Sequence, residues 1–101
     1  MPIDYKRILE ILDALSHPTR FMIVEILLKG EKCVSDIENL LSIKQPNISQ
    51  HLSLLRLTGI VDWHQKGKTK CYFLKDPQLM EDLFKVLKKI KFKNNLSKLN
   101  Q

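Results

Sequence analysis

Two helical patterns in the middle of the chain are separated by only three residues, and this spacing constrains the fold more than any other feature. The first covers Asp36 to Leu41, with Ser35 as its expected N-cap. After Ser42-Ile43-Lys44, the second runs from about Gln45 to Thr58. Its apolar residues repeat at four- and three-residue intervals: Ile48, Leu52 and Leu55. Because the connection is so short, we expect the two helices to cross and to share one core.

A hairpin pattern follows the second of these helices without a linker. Gly59 stops the helix, Ile60 to Gln65 predicts a strand, Lys66 to Thr69 a turn, and Lys70 to Leu74 a return strand. Two short helices followed by a hairpin are typical of a helix-turn-helix with a wing. In such folds an extended segment before the first of the two helices pairs with the return strand, and we assign that role to Cys33-Val34.

Two further helices are predicted before this unit and one after it. The first covers Asp4 to Leu15; the second begins at Pro18, ends before Gly30, and is apolar enough to be mostly buried. The last begins at Pro77 and keeps helical spacing of apolar residues to Ile90. The sequence thus predicts a mainly α, α+β winged helix-turn-helix domain over residues 1–90, with about five helices and a two- to three-stranded wing sheet. Residues 91–101 are expected to form a basic, flexible tail.

Size and composition narrow the class of protein. A chain of 101 residues forms one small domain, and its net charge of +6 suits a polyanionic partner. The two cysteines form no CxxC pair, which argues against a zinc ribbon or a disulfide scaffold. No apolar run approaches the roughly 20 residues of a membrane span, and no secretory signal is evident, so we expect a cytoplasmic protein without a membrane partner.

The second helix of the pair has the polar residues that a DNA recognition helix needs. Short amide, hydroxyl and imidazole side chains can reach base edges in the major groove, and the candidates are Gln45, Asn47, Ser49, Gln50 and His51. Basic side chains can neutralise phosphates, and the candidates are Lys44, Arg56, Lys66, Lys68 and Lys70. The sequence therefore predicts double-stranded DNA as the partner.

The chain resembles the ArsR/SmtB family of small winged-helix repressors from about Ile8 to Leu87. Four segments carry the resemblance: 14–20 is similar to the family's "LADPTR" turn, 45–52 to its recognition helix "SQPTVSQHL", and 55–61 and 67–74 to its "LREAGLV" and "GR…YYRL" wing. The resemblance implies a homodimer held by the first and last helices, operator binding that blocks transcription, and release by an inducer. The apolar stripes on both terminal helices also suit sharing with a second subunit.

The chain departs from the family where an inducer would be sensed. Metal-sensing relatives often carry "CVCD", but this chain has Cys33-Val34-Ser35-Asp36, with one thiol instead of two. The last helix has Glu81 and Asp82 but no histidine, which argues against a zinc or nickel site there. We therefore predict no metal site and no cofactor, and the inducer stays open.

The two cysteines are candidates for redox or thiol sensing. If the segment holding Cys33 pairs with the return strand, Cys33 and Cys71 lie close together. The alternative is that both thiols are buried, reduced and structural.

The sequence favours a DNA-binding repressor over two other classes of function. A winged helix that binds protein or RNA is expected to place apolar or acidic residues on the exposed face of the second helix, and this chain does not. An enzyme is disfavoured because no nucleophile, base and orienting acid occur together, and there is no phosphate-binding glycine loop.

Overall fold

The computed structural model describes residues 2–90, and these form five α-helices and a three-stranded antiparallel sheet. In chain order the elements are α1 (Tyr5–Leu15), α2 (Pro18–Leu27), β1 (Lys32–Cys33), α3 (Val34–Leu41), α4 (Gln45–Leu57), β2 (Val61–Lys66), β3 (Thr69–Leu74) and α5 (Pro77–Leu87). The predicted fold class is confirmed. The predicted tail, residues 91–101, lies outside the described residues, and its separation from the folded domain stays a prediction.

The core lies where α2, α3 and α4 meet the base of the sheet. The side chains that are completely shielded from solvent come from these elements and from the end of α1: Ala14, Ile23, Val24, Ile37, Ile48, Leu52, Leu55, Val61 and Cys71. The three apolar residues predicted to anchor α4 are all among them. Helix α2 is less buried than predicted: Ile23, Val24 and Leu27 are buried, Phe21 and Ile26 are half-buried, and Met22 is exposed.

Helix α3 begins two residues earlier than the sequence predicted. Cys33, and not Ser35, is the N-cap, and the backbone N–H of Cys33 donates to the Asp36 carboxylate at 3.2 Å. The prediction was wrong because an acidic side chain three residues after the N-cap satisfies the N-cap amide and so fixes the helix start. The predicted extended pair Cys33-Val34 is accordingly Lys32–Cys33, and Val34 is the first helical residue.

The turn between α3 and α4 is as short as predicted. Ser42 ends α3 in the left-handed conformation (φ 55°), which reverses the chain, and Lys44 is the N-cap of α4. At the other end, Gly59 has φ 78°. Glycine adopts this conformation without steric cost, so the chain can leave α4 and enter β2 at once.

The wing hairpin is longer than predicted. Strand β2 pairs with β3 from Val61↔Leu74 to Lys66↔Thr69, which leaves a two-residue turn at Gly67-Lys68 instead of four residues. The positive φ of Gly67, 60°, permits this tight turn. Strand β1 pairs with β3 as predicted, with Cys33 opposite Cys71.

Helix α5 begins as predicted and ends sooner. Asp76 is the N-cap, and its carboxylate accepts from the backbone N–H of Leu79. The helix ends at Leu87, so Ile90 lies beyond it and does not continue the helical stripe as expected. Within residues 2–90, no helix is long and apolar enough to cross a bilayer.

Candidate nucleic-acid interface

Helix α4 is held by one face and exposes the other. Ile48, Leu52 and Leu55 are completely buried on the side that packs against α3 and α2, while Gln45, Asn47 and Gln50 are exposed. Ser49 is half-buried at the edge of the exposed face. Because the buried residues recur every three or four positions, they fix the rotation of α4 about its axis. The polar side chains of its first two turns are therefore displayed to solvent on a rigid element.

His51 lies on a different side of α4 from Gln45 and Gln50. Its ring packs against His17 with 4.4 Å between ring centroids, and its Nδ1 lies 3.4 Å from Nη1 of Arg20. Arg20 in turn donates to the carbonyl of Ala14 at 2.6 Å. His51 thus lies in a half-buried contact between α2 and α4. Its role as a base-contacting residue stays a prediction.

His17 joins the same contact and begins α2. Its Nδ1 accepts from the backbone N–H of Thr19 at 3.1 Å, which makes His17 the capping residue of α2. Burial lowers the pKa of His51, and the charges of His17 and Arg20 lower it further. The neutral ring is therefore the form that suits the folded protein.

This lowered pKa predicts a loss of stability in mild acid that His51→Gln reduces. In the unfolded chain His51 titrates near its ordinary pKa of 6.5, so between about pH 7.5 and about pH 5.5 the unfolded state binds more protons than the folded state. The free energy of unfolding should therefore fall as the pH falls through this range. Urea unfolding of both proteins at the two pH values measures it. Equal pH dependence in the wild type and in His51→Gln would contradict the assignment.

The wing carries three exposed lysines that have different surroundings. Lys66 binds Glu31 (Nζ–Oε2 2.7 Å), and His64 contacts the same carboxylate. The hydrogen bond from Lys66, followed by that from His64, lowers the pKa of Glu31. The ammonium of Lys70 lies 4.3 Å from the centroid of the Trp63 ring. Lys68 is at the turn and forms no salt bridge within the part of the chain that the structure describes.

Arg56 connects the last turn of α4 to the wing. Its Nε donates to Asp62 at 3.1 Å, and its guanidinium carbon lies 5.3 Å from the Trp63 ring centroid. The backbone N–H of Trp63, followed by Arg56, lowers the pKa of Asp62. Arg56 and Lys70 therefore approach the same aromatic ring from two different elements.

Three residues of this region were not selected from the sequence. Ser53, Trp63 and Tyr72 line a cleft between α4 and the wing together with Arg56 and Lys70. Strand alternation carried part of the signal, because Lys70 and Tyr72 are two residues apart on β3 and Trp63 lies opposite Tyr72 on β2. The position of α4 over this face of the sheet depends on tertiary packing and carries no comparable pattern.

Cys33 and Cys71 are bonded to each other as a disulfide, with their Cα atoms 3.8 Å apart. The predicted proximity is confirmed. The bond joins the N-cap of α3 to the return strand of the wing, at the register position where β1 pairs with β3. Within residues 2–90, no group of three or more His, Cys, Asp or Glu side chains is arranged to hold a metal ion.

Comparison with known proteins decides the family. A sequence model described as "Bacterial regulatory protein, arsR family" matches residues 17–62, from the N-cap of α2 into β2. A biofilm growth-associated repressor from Agrobacterium fabrum is 38% identical over 92 residues, which cover 85% of this chain and 79% of that protein. The chain belongs to the ArsR family.

Solved structures agree with this assignment. The transcriptional repressor BigR from Xylella fastidiosa is 37% identical, with a TM-score of 0.70 over 80% of this chain and 86% of BigR. HlyU from Vibrio cholerae is 28% identical, with a TM-score of 0.76 over 86% of this chain and 97% of HlyU. The winged helix-turn-helix fold is confirmed. This ArsR-family protein is a DNA-binding transcriptional regulator rather than an enzyme, as the sequence predicted.

Proposed function

We propose that this ArsR-family protein represses transcription as a homodimer bound to a pseudo-palindromic operator in double-stranded DNA in the cytoplasm. The observation that carries the proposal is the exposed polar face over the first two turns of α4, beside a lysine-bearing hairpin. Relatives named as repressors support the direction of regulation. The alternative, a module for protein or RNA, would suit an apolar or acidic face at Gln45, Asn47 and Gln50.

Two sets of side chains have different roles in this proposal. The side chains that we assign to base edges are Gln45, Asn47, Ser49, Gln50 and His51. Those assigned to phosphates are Lys44, Arg56, Lys66, Lys68 and Lys70. Amide side chains pair bidentately with adenine, so we expect adenine-containing half-sites. His51 reaches the DNA only if its contacts with His17 and Arg20 rearrange.

The terminal helices supply the proposed dimer interface. Helix α1 exposes Leu9 and Leu12, and α5 exposes Leu79 and Val86. Large apolar side chains exposed in a row on two helices mark a surface that another chain covers. A second copy of this chain is the occupant we propose, because two-fold symmetry would place two α4 helices in successive major grooves about 34 Å apart.

The disulfide supports a redox signal as the means by which the protein is released from its operator. We propose that a peroxide or a small disulfide oxidises the thiols of Cys33 and Cys71. Two electrons and two protons pass from the thiols to the oxidant and the S–S bond forms; hydrogen peroxide leaves as two waters, and a small disulfide leaves as two thiols. The bond fixes the base of the wing to the start of α3, and so limits the movement by which the wing lysines reach the phosphate backbone. The reduced protein is the form that binds the operator.

Oxidation should therefore weaken operator binding in the wild type alone. We expect a loss of about 5-fold or more, the lower end of typical coupling between two sites. Titration of labelled operator with oxidised and reduced protein measures the loss, and mass spectrometry confirms the loss of two hydrogens. The operator affinities of Cys33→Ser and Cys71→Ser should be the same after oxidation as after reduction. Equal affinity of the oxidised and reduced wild type would refute redox release and leave the bond a structural one.

Selection of duplexes from a random-sequence library tests the proposed function itself. Several rounds with reduced protein should enrich related sequences with two-fold symmetry, and these should bind more tightly than unrelated duplexes at the same salt concentration. Failure to enrich any sequence, or tighter binding to RNA than to duplex DNA, would favour the alternative.

A further inference from the structure

A cleft of roughly 430 Å³ lies between the second half of α4 and the wing. Its walls are Ser53, Arg56 and Leu57 from α4, and Trp63, Lys70 and Tyr72 from the hairpin. An adjoining cleft of roughly 330 Å³ shares Ser53, Lys70 and Tyr72 and extends along α4 to Gln45 and Ser49. The two clefts form one trough, which begins beside the proposed base-reading residues and ends at Trp63.

Trp63 brings two cations together at one end of this trough. The ammonium of Lys70 and the guanidinium of Arg56 lie 4.3 Å and 5.3 Å from its ring centroid. The negative face of an indole ring attracts both groups. The neighbouring carboxylate, Asp62, accepts from Nε of Arg56 and is not part of the lining. Arg56 is thus paired with Asp62 through Nε, while Lys70 forms no salt bridge within the described residues, and both cations face the same ring.

The remaining polar groups of the lining are hydroxyls that can donate hydrogen bonds. Ser53 is exposed on α4, while Tyr72 is buried at the base of the cleft, opposite Trp63 on the neighbouring strand. Burial raises the pKa of Tyr72, so its hydroxyl keeps its proton. A ligand that matches two cations and two hydroxyl donors is an oxyanion with several acceptor oxygens, such as a phosphodiester.

We propose that this cleft binds a backbone phosphate of the duplex whose major groove receives α4, and that Trp63 is the positioning residue that holds Arg56 and Lys70 for it. The inference rests on the proposed function. With α4 in the major groove and the wing against the duplex, the trough between them faces the strand that separates their contacts. A free anion would not need a trough that continues to Gln45 and Ser49.

Trp63 is the only tryptophan of the chain, so its fluorescence reports on this cleft. Reduced wild-type protein is titrated with a selected duplex, with a duplex of unrelated sequence, and with inorganic phosphate. Both duplexes should change the Trp63 emission over the concentration range in which labelled DNA is bound. Inorganic phosphate alone should leave the emission unchanged, because it lacks the contacts that α4 makes.

Substitutions at Trp63, with Phe73→Leu as the control, separate the positioning role of Trp63 from a role in folding. Trp63→Leu should weaken binding to both duplexes by a similar factor and reduce the slope of log affinity against log salt concentration by about one. Trp63→Phe keeps an aromatic ring and should retain most of the binding. Phe73→Leu changes an aromatic residue on the opposite face of the sheet and should keep the wild-type slope. If Trp63→Leu does not fold by circular dichroism, Lys70→Gln, at an exposed position, should give the same reduction in slope.

The outcomes distinguish this inference from the function on which it rests. Sequence-specific binding with unchanged Trp63 emission and a wild-type slope in Trp63→Leu overturns the phosphate cleft and leaves the repressor proposal standing. If Trp63→Leu does not fold, a wild-type slope in Lys70→Gln overturns the cleft and the phosphate assignment of Lys70, but not operator binding. A change of emission with inorganic phosphate but with neither duplex makes the cleft a site for free anions and also overturns the inference. If no duplex binds the wild type, both proposals fail.

Discussion

Replacing Leu9 by Glu is expected to convert the dimer to monomers and to reduce operator affinity by about 100-fold or more. Leu9 is 62% exposed on α1, so the substitution leaves the core of one subunit intact, and Glu is a good helix former. A charge at the interface would lose its hydration when a second copy covers it. Linking two binding modules raises affinity by about 10²- to 10⁴-fold, and the monomer loses this gain.

Leu40→Glu is the matched control for this substitution. Leu40 is also an exposed leucine on a helix, 60% exposed on α3, but it lies outside the proposed interface. Sedimentation at micromolar concentration should show a dimer for the wild type and Leu40→Glu, and a monomer for Leu9→Glu. A wild-type monomer, or a Leu9→Glu dimer with full operator affinity, would contradict the proposed interface.

Gln50→Ala and Lys68→Ala are expected to weaken binding in different ways. Gln50 is exposed on α4 and is assigned to a base edge, so its loss should cost about 1–3 kcal/mol on the preferred operator and little on unrelated DNA. Lys68 lies at the tip of the wing and is assigned to a phosphate. Its loss should weaken binding to every duplex and reduce the salt slope by about one.

Titrations of both variants against the selected operator and an unrelated duplex, at several salt concentrations, measure this difference. Asn39→Ala is a suitable control, because Asn39 is an exposed amide on α3 and not on α4. If Gln50→Ala and Lys68→Ala lost the same affinity on both duplexes, the assignment of Gln50 to a base edge and of Lys68 to a phosphate would be wrong.

Local sequence signals were enough to locate most elements of the fold. The spacing of Ile48, Leu52 and Leu55 predicted the buried face of α4, and the glycines at 59 and 67 predicted where the chain leaves the helix and turns in the wing. Boundaries were less accurate where two signals competed. Ser35 is a good N-cap by type, but the Asp36 carboxylate satisfies the amide of Cys33 and moves the start of α3 back.

The arrangement of side chains around α4 depends on contacts between distant elements, and the sequence carries little signal for it. Adjacent positions on a helix point about 100° apart, so Gln50 is exposed while His51 is directed to α2, where Arg20 and His17 meet it. The cleft at Trp63 likewise needs α4 and both wing strands in place. The proximity of Cys33 and Cys71 was predictable because it follows from strand topology, whereas the bond between them was not predicted.

Hydroxyl-radical footprinting of the reduced protein on its selected duplex tests the central claim most directly. Two α4 helices in successive major grooves should protect two symmetric half-sites whose centres are about 10–10.5 base pairs apart. Gln50→Ala should lose this pattern at concentrations where the wild type keeps it. A single protected segment, asymmetric protection, or uniform protection along the duplex would contradict a dimeric repressor that reads its operator through α4.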